Sequence, residues 1–160
     1  MVTVLHLITF ALAAGIGWNT ATGALPPRSP GTFYADVPMI AGNNLQVLVI
    51  LIATNVLVIG LIGLAMFAVH GYLFGQMLAM TPGPIHWVWL YAPLEVMSFA
   101  FGASASVLIL IEAGRWLRTG LPASAPMLRT VALAILLAVD GLLVAAFLEA
   151  VAITAAWGSL

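Results

Sequence analysis

The sequence contains no cysteine and no lysine, and charged residues make up only 6% of its 160 residues. The absence of cysteine excludes disulfides and thiol chemistry. A soluble domain carries roughly 25% charged residues, so this chain lacks the polar surface that a soluble fold needs. Four arginines against five acidic residues give a net charge of −1, which leaves no basic patch for nucleic acid. The composition therefore indicates a protein whose surface faces a lipid bilayer.

Hydrophobic residues make up 64% of the sequence, and we predict an all-α, polytopic membrane helix bundle that forms one domain over residues 1–160. A membrane-spanning helix needs about 20 predominantly apolar residues. Five apolar segments meet or approach that length. They cover about 2–24, 44–61, 63–80, 88–117 and 129–158, with polar loops at 26–43 and 119–128.

The apolar segment 44–80 leaves the number of spans open at four or five. One helix over all of it would be about 55 Å long, whereas the hydrocarbon core is about 30 Å thick. Gly60 and Gly63 offer a place to break it. We favour a hairpin of two helices over a single span followed by a half-helix.

The arginines indicate the orientation. Arg115, Arg118 and Arg129 flank the loop at 119–128, and the positive-inside rule places such a loop in the cytoplasm. We therefore expect a multi-pass protein of the cell membrane, with a cytoplasmic amino terminus if the spans number five. A cleaved signal peptide is the alternative for the first segment, but that segment lacks a positively charged start.

One carboxylate, Glu95, interrupts a stretch that is otherwise apolar, aromatic or small. Pro93 and the aromatic residues before it are typical of a helix that starts at a membrane interface. Polar groups in hydrocarbon are costly, so they face protein or water. We therefore expect Glu95 to have a buried partner. The candidate partners are Asn55, His70, His86 and Asp140.

Three kinds of function are compatible with these residues. Glu95 and His70 are candidate catalytic residues, since a carboxylate and an imidazole serve as general acid and base, with Asn55, His86 and Asp140 as binding residues. No HExxH motif is present, and we predict neither a metal site nor a cofactor. Alternatively, Glu95 is structural and fixes the bundle or docks a partner helix. The third alternative is a small oligomeric transporter subunit with acids along its pathway.

A series of short elements between Ile52 and Leu110 has the order of a known family. The elements are Thr54-Asn55, His70-Gly71 followed by Gly75, Tyr91–Glu95, and Phe101-Gly102-Ala103. Together they resemble the stage II sporulation protein M family, in which asparagines, an Asn-Gly pair and a His/Glu motif precede an alanine- and glycine-rich helix. Two positions depart from that pattern. The family histidine before the glutamate is absent, and His70 replaces an asparagine.

The resemblance implies a membrane protein that works in a complex, with Glu95 as its key polar residue. Short members of this kind are similar to those in circular-bacteriocin maturation clusters, where leader removal, cyclisation or export takes place. The resemblance thus implies an apolar peptide substrate and a membrane-protein partner or an ATPase subunit. Other members anchor cell-wall-remodelling enzymes, so a non-catalytic scaffold for cell-envelope remodelling is the alternative. From the residues themselves, the small side chains at 102–106 favour close helix packing and a homo-oligomer.

Overall fold

A computed structural model describes residues 2–22, 33–57, 61–80 and 85–157. Five α-helices and one short 3-10 helix account for almost all of them, and no strand occurs in these ranges. The helices are α1 (Val2–Thr20), α2 (Phe33–Leu57), α3 (Leu61–Met80), α4 (Ala92–Thr119) and α5 (Ala125–Trp157), and the 3-10 helix (Ile85–Leu90) precedes α4. The predicted all-α helix bundle is confirmed.

Helices α2, α4 and α5 are each long and apolar enough to cross a membrane. Their apolar stretches cover Asp36–Leu57, Ala92–Thr119 and Ala125–Ala155. Helices α1 and α3 are also apolar and contain 19 and 20 residues, which is within the usual length of a membrane span. The five described helices therefore all have the apolar character expected of a membrane bundle, and α2, α4 and α5 are the longest of them.

Segment 44–80 is broken into two helices, as predicted. Helix α2 ends at Leu57 and α3 begins at Leu61. Near this point the Thr54 hydroxyl lies 3.7 Å from the Met66 sulfur, so the two helices contact each other. Gly60 lies outside the described residues.

The predicted loop at 26–43 is too long, because α2 begins at Phe33. Pro38 suggests a break, since proline inside a helix removes one backbone hydrogen bond. Packing outweighs that loss here. Ile40 and Ala41 of α2 are buried against Ala146 and Ala150 of α5, and this contact holds the first turns of α2 in the helix.

Two more helices begin at residues other than those predicted. Helix α5 starts at Ala125 instead of 129, because the Ser124 hydroxyl accepts a 3.4 Å hydrogen bond from the Met127 amide, and serine is a favoured N-cap. Helix α4 starts at Ala92 instead of 88, with Pro93 in its first turn. One helix also ends earlier than predicted, since α1 ends at Thr20 and the prediction placed its end at 24.

Helices α1 and α3 form a close pair that depends on glycine. Gly71 of α3 lies against the backbone of Phe10, and Gly75 lies against the backbone of Ala14. Because the contacting positions increase together along both helices, α1 and α3 run parallel. Small residues permit such backbone approach, which stabilises helix pairs in lipid through van der Waals packing.

Helices α2, α4 and α5 form the other half of the bundle. Leu48 of α2 packs against Ala138 and Leu142 of α5, and Gly102 of α4 faces Leu48. Gly141 of α5 lies against the side chain of Ser98 on α4. The small residues at 102–106 are thus used inside the bundle, so they no longer argue for a homo-oligomer.

The α1–α3 contact predicts opposite effects for two glycines of the same helix. A methyl group at Gly17 would meet the Tyr72 backbone, whereas nothing lies within 4 Å of one at Gly15. We expect Gly17→Ala to lower the free energy of unfolding by about 1–3 kcal/mol. Gly15→Ala should leave it unchanged or raise it by about 0.5–1 kcal/mol. Thermal unfolding in detergent, followed by circular dichroism, measures both, and equal effects would contradict the close α1–α3 contact.

Candidate functional site

Glu95 lies in the first turn of α4. Its backbone amide donates a 3.0 Å hydrogen bond to the Tyr91 carbonyl, and Pro93 fixes the turn between them. Trp89, just before the helix, is 67% exposed, as expected for an aromatic residue at a membrane interface. The sequence therefore places Glu95 near one end of a span, and its side chain is half-buried among neighbouring helices.

The side chains that meet Glu95 come from two other helices. Asn44 of α2 brings its side-chain amide to the Glu95 carboxylate, and the carboxylate of Glu149 on α5 is close enough to repel it. Asn44 is only 6% exposed, and its Nδ2 does not reach full hydrogen-bond geometry with any described acceptor. We call Glu95, Asn44 and Glu149 the Glu95 cluster.

The Glu95 cluster joins α2, α4 and α5, the three longest of the described helices. Neither Asn44 nor Glu149 was predicted from the sequence as a partner of Glu95, although the spacing of charged residues on α4 and α5 indicates Glu149. Glu95 and Arg115 are twenty residues apart on α4, and Arg129 and Glu149 are twenty residues apart on α5. Twenty helical residues extend about 30 Å, which is the thickness of the hydrocarbon core. Since a short connector joins α4 to α5, the two glutamates lie at the same end.

His70, the predicted catalytic partner of Glu95, faces a different environment. Its Nδ1–H donates a 2.9 Å hydrogen bond to the Met66 carbonyl within α3, and its ring centroid lies 6.2 Å from that of Phe99. It borders a cavity of about 20 Å³ whose other lining residues are apolar. No hydrogen bond or ion pair between described residues joins His70 to Glu95.

The other predicted site residues lie apart from the Glu95 cluster. Asn55 is fully buried, but it follows Asn44 by eleven residues on the same helix, a distance of about 16 Å. Asp140 is exposed on α5. The side chain of His86 lies outside the described residues. The structure therefore brings none of the described ones to Glu95.

The chemistry of the Glu95 cluster is that of a polar contact between helices. The nearest buried hydroxyl on α4, Ser98, donates a 2.7 Å hydrogen bond to the Leu94 carbonyl of its own helix. Among the described residues, no three His, Cys, Asp or Glu side chains come together as a metal-ligand group. The Asn44 amide beside the Glu95 carboxylate connects α2 to α4, and the charge of Glu149 brings α5 into the same polar contact.

Comparison with known proteins gives no match to a family model, to a curated protein or to a solved structure. The resemblance to the stage II sporulation protein M family therefore stays a prediction from the sequence elements described above.

The proximity of two carboxylates predicts that Glu95→Gln and Glu149→Gln are coupled. Either change removes the repulsion between them and keeps a side chain of similar size that forms hydrogen bonds. The double variant should therefore gain less stability than the sum of the single variants, with a coupling energy of about 0.5–3 kcal/mol. A double-mutant cycle of thermal unfolding in detergent at pH 8 measures it, and additive effects would show that the carboxylates do not interact.

Asn55 offers a second test of polar groups in the bundle. Neither the Nδ2 nor the Oδ1 atom of its fully buried amide has a partner among the described residues. Removing an unsatisfied buried polar group is neutral or stabilising, so Asn55→Leu should leave the free energy of unfolding unchanged or raise it by about 1–3 kcal/mol. Asn44→Leu is the matched control and should lower it, because it deprives Glu95 of an amide neighbour. A marked loss of stability in Asn55→Leu would mean that its amide is paired.

Proposed function

We propose that the protein is a multi-pass, non-catalytic subunit of a membrane complex, in which Glu95 holds helices together. One observation carries the proposal. Glu95 meets Asn44 and Glu149, which come from the apolar helices α2 and α5, and it has neither a nucleophile nor an imidazole as a described partner. Polar side chains that meet between helices are a recurring means of helix association in lipid.

The distribution of charge supports a location in the cell membrane with the 119–128 loop in the cytoplasm. Arg115 pairs with Glu112 at 2.8 Å and also donates a 2.6 Å hydrogen bond to the Pro122 carbonyl. Arg118 and Arg129 lie at the same end of the α4–α5 pair. Three arginines at one end satisfy the positive-inside rule, and Glu95 and Glu149 then lie toward the outer face.

The resemblance to the stage II sporulation protein M family supports a process for the complex. By that resemblance the complex matures or exports a circular bacteriocin-type peptide, which is an apolar substrate, and it contains a further membrane protein or an ATPase subunit. A scaffold for cell-envelope-remodelling enzymes is the alternative process. Peptide maturation or export and cell-envelope remodelling both agree with a structural role of Glu95. In each process the bundle binds partner proteins, and the partners carry out the chemistry.

Two substitutions at Glu95 separate a structural role from a catalytic one. A structural role predicts that Glu95→Gln keeps both assembly and peptide output, since glutamine fills the same space and still forms hydrogen bonds. Glu95→Ala should lower both together, because it leaves Asn44 buried without its neighbour. Native mass spectrometry of the gently extracted complex measures assembly, and mass spectrometry of the secreted mature peptide measures output.

The control variant is Glu112→Gln, on the same helix but in the partly exposed pair with Arg115. Pairs of this kind contribute little, so assembly and output should persist. An intact complex without peptide output in Glu95→Gln would overturn the structural role in favour of acid–base catalysis. Deletion of the whole chain tests the process separately, since unchanged peptide output would reject peptide maturation and export without affecting the role of Glu95.

A further inference from the structure

One face of α5 is exposed along most of the helix and carries a single acidic residue. Asp140 is exposed, and the exposed apolar residues on both sides of it follow helical spacing. They are Leu133, Leu136, Leu137, Leu143, Val144 and Phe147. The opposite side of α5, with Ala138, Leu142, Ala145 and Ala146, is buried in the bundle. We call the exposed set, with Asp140 at its centre, the Asp140 face.

Asp140 lies near the middle of the membrane if α5 crosses it. The residue is midway between Ala125 and Ala155, the ends of the apolar stretch. It follows Arg129 by eleven residues and precedes Glu149 by nine. Eleven residues extend about 16 Å along a helix, which is about half the thickness of the hydrocarbon core. Arg129 and Glu149 both lie nearer the interfaces, so neither reaches the depth of Asp140.

No other described residue compensates Asp140. It forms no hydrogen bond or ion pair with the described part of the chain, and the cation Arg115 is already paired with Glu112. An intramembrane acid is costly when it faces lipid, and such residues normally face protein and pair with another group. A carboxylate on an exposed apolar face at this depth therefore indicates that a second helix covers the face.

A second copy of this chain does not supply the complementary charge. A copy in the same orientation brings its own Asp140 to the same depth, which places like charges together. The described arginines are Arg115, Arg118 and Arg129, and all three lie near the connector between α4 and α5. An arginine side chain there is too short to reach Asp140 at mid-membrane. The chain has no lysine. The occupant that fits is a helix of a different protein with a basic residue at mid-span.

We propose that the Asp140 face docks a transmembrane helix of a partner protein that carries one Lys or Arg near the middle of the membrane. This inference rests on the proposed role as a subunit of a membrane complex and adds the chemistry of the partner. Apolar side chains around Asp140 provide the packing, and the charge pair determines the register of the partner helix. A pair of this kind is strong only when both members are present, so it selects among partner helices.

The test uses the full chain in phosphatidylcholine vesicles with synthetic helices as probes. Because the chain has no cysteine, Leu121→Cys gives one site for a donor dye in an exposed connector. One probe is an acceptor-labelled leucine/alanine helix of about 20 residues with a single central lysine, and the matched probe has leucine in its place. We expect half-maximal energy transfer at a membrane density of the lysine helix that is about tenfold lower than that of the leucine helix. Asp140→Glu should keep this preference for the lysine helix.

Asp140→Asn should remove the preference for the lysine helix while the thermal transition stays as in the wild type. Equal binding of both probes to the wild-type chain overturns the proposal. Energy transfer between two copies of the chain that disappears in Asp140→Asn also overturns it, since a second copy then occupies the face. These results do not depend on Glu95, so a failure here and a failure of the proposed function are distinguishable.

A register variant tests the charge pair without removing the acid. Leu136 lies one helical turn before Asp140 on the same face, so the double change Leu136→Asp with Asp140→Leu moves the carboxylate by one turn and keeps it beyond the i+4 reach of Arg129. We expect the tenfold preference to move to a probe whose lysine is displaced by one turn in the same direction. A preference that stays with the central lysine would overturn the role of Asp140, including in the case that Asp140→Asn does not fold.

Discussion

A polar side chain in hydrocarbon is costly unless another group compensates it, and this cost explains where most charged residues of the described helices lie. The arginines lie at one end of the α4–α5 pair, and Glu112 pairs with Arg115 there. Glu95 and Glu149 lie at the opposite end beside Asn44. With only 6% charged residues, the position of each one carries information about depth, orientation and partners.

The same constraint explains why the two halves of the bundle hold together in different ways. Between helices in lipid there is no hydrophobic driving force comparable to that in water. Helices α1 and α3 instead approach closely at Gly71 and Gly75, where backbone meets backbone. Helices α2, α4 and α5 combine small residues with the Glu95 cluster. Backbone packing and one hydroxyl contact, from Thr20 to Tyr72 at 3.3 Å, stabilise the first pair, whereas packing and the buried Glu95 cluster together stabilise the other three helices.

Hydropathy and length were sufficient to predict the helices. The break in segment 44–80, for example, follows from the thickness of a bilayer. Helix ends were harder to predict. Pro38 and the polar residues around it resemble a loop, and only the contact of Ile40 and Ala41 with α5 explains why α2 already includes them. Such contacts depend on how distant segments pack, which local sequence patterns do not contain.

At the candidate site, too, the sequence identified the central residue, whereas its partners depend on how the helices pack. Glu95 was identified because an acid in an apolar run needs a partner, but the choice among partners depended on depth. His70 and Asn55 lie on other faces or at other levels, whereas Glu149 lies one membrane thickness from Arg129. Asp140 and Glu149 are both acids of α5, and their nine-residue spacing points them in nearly opposite directions. Glu149 therefore contributes to the interior of the bundle, whereas Asp140 faces outward, where the partner helix that we propose would compensate it.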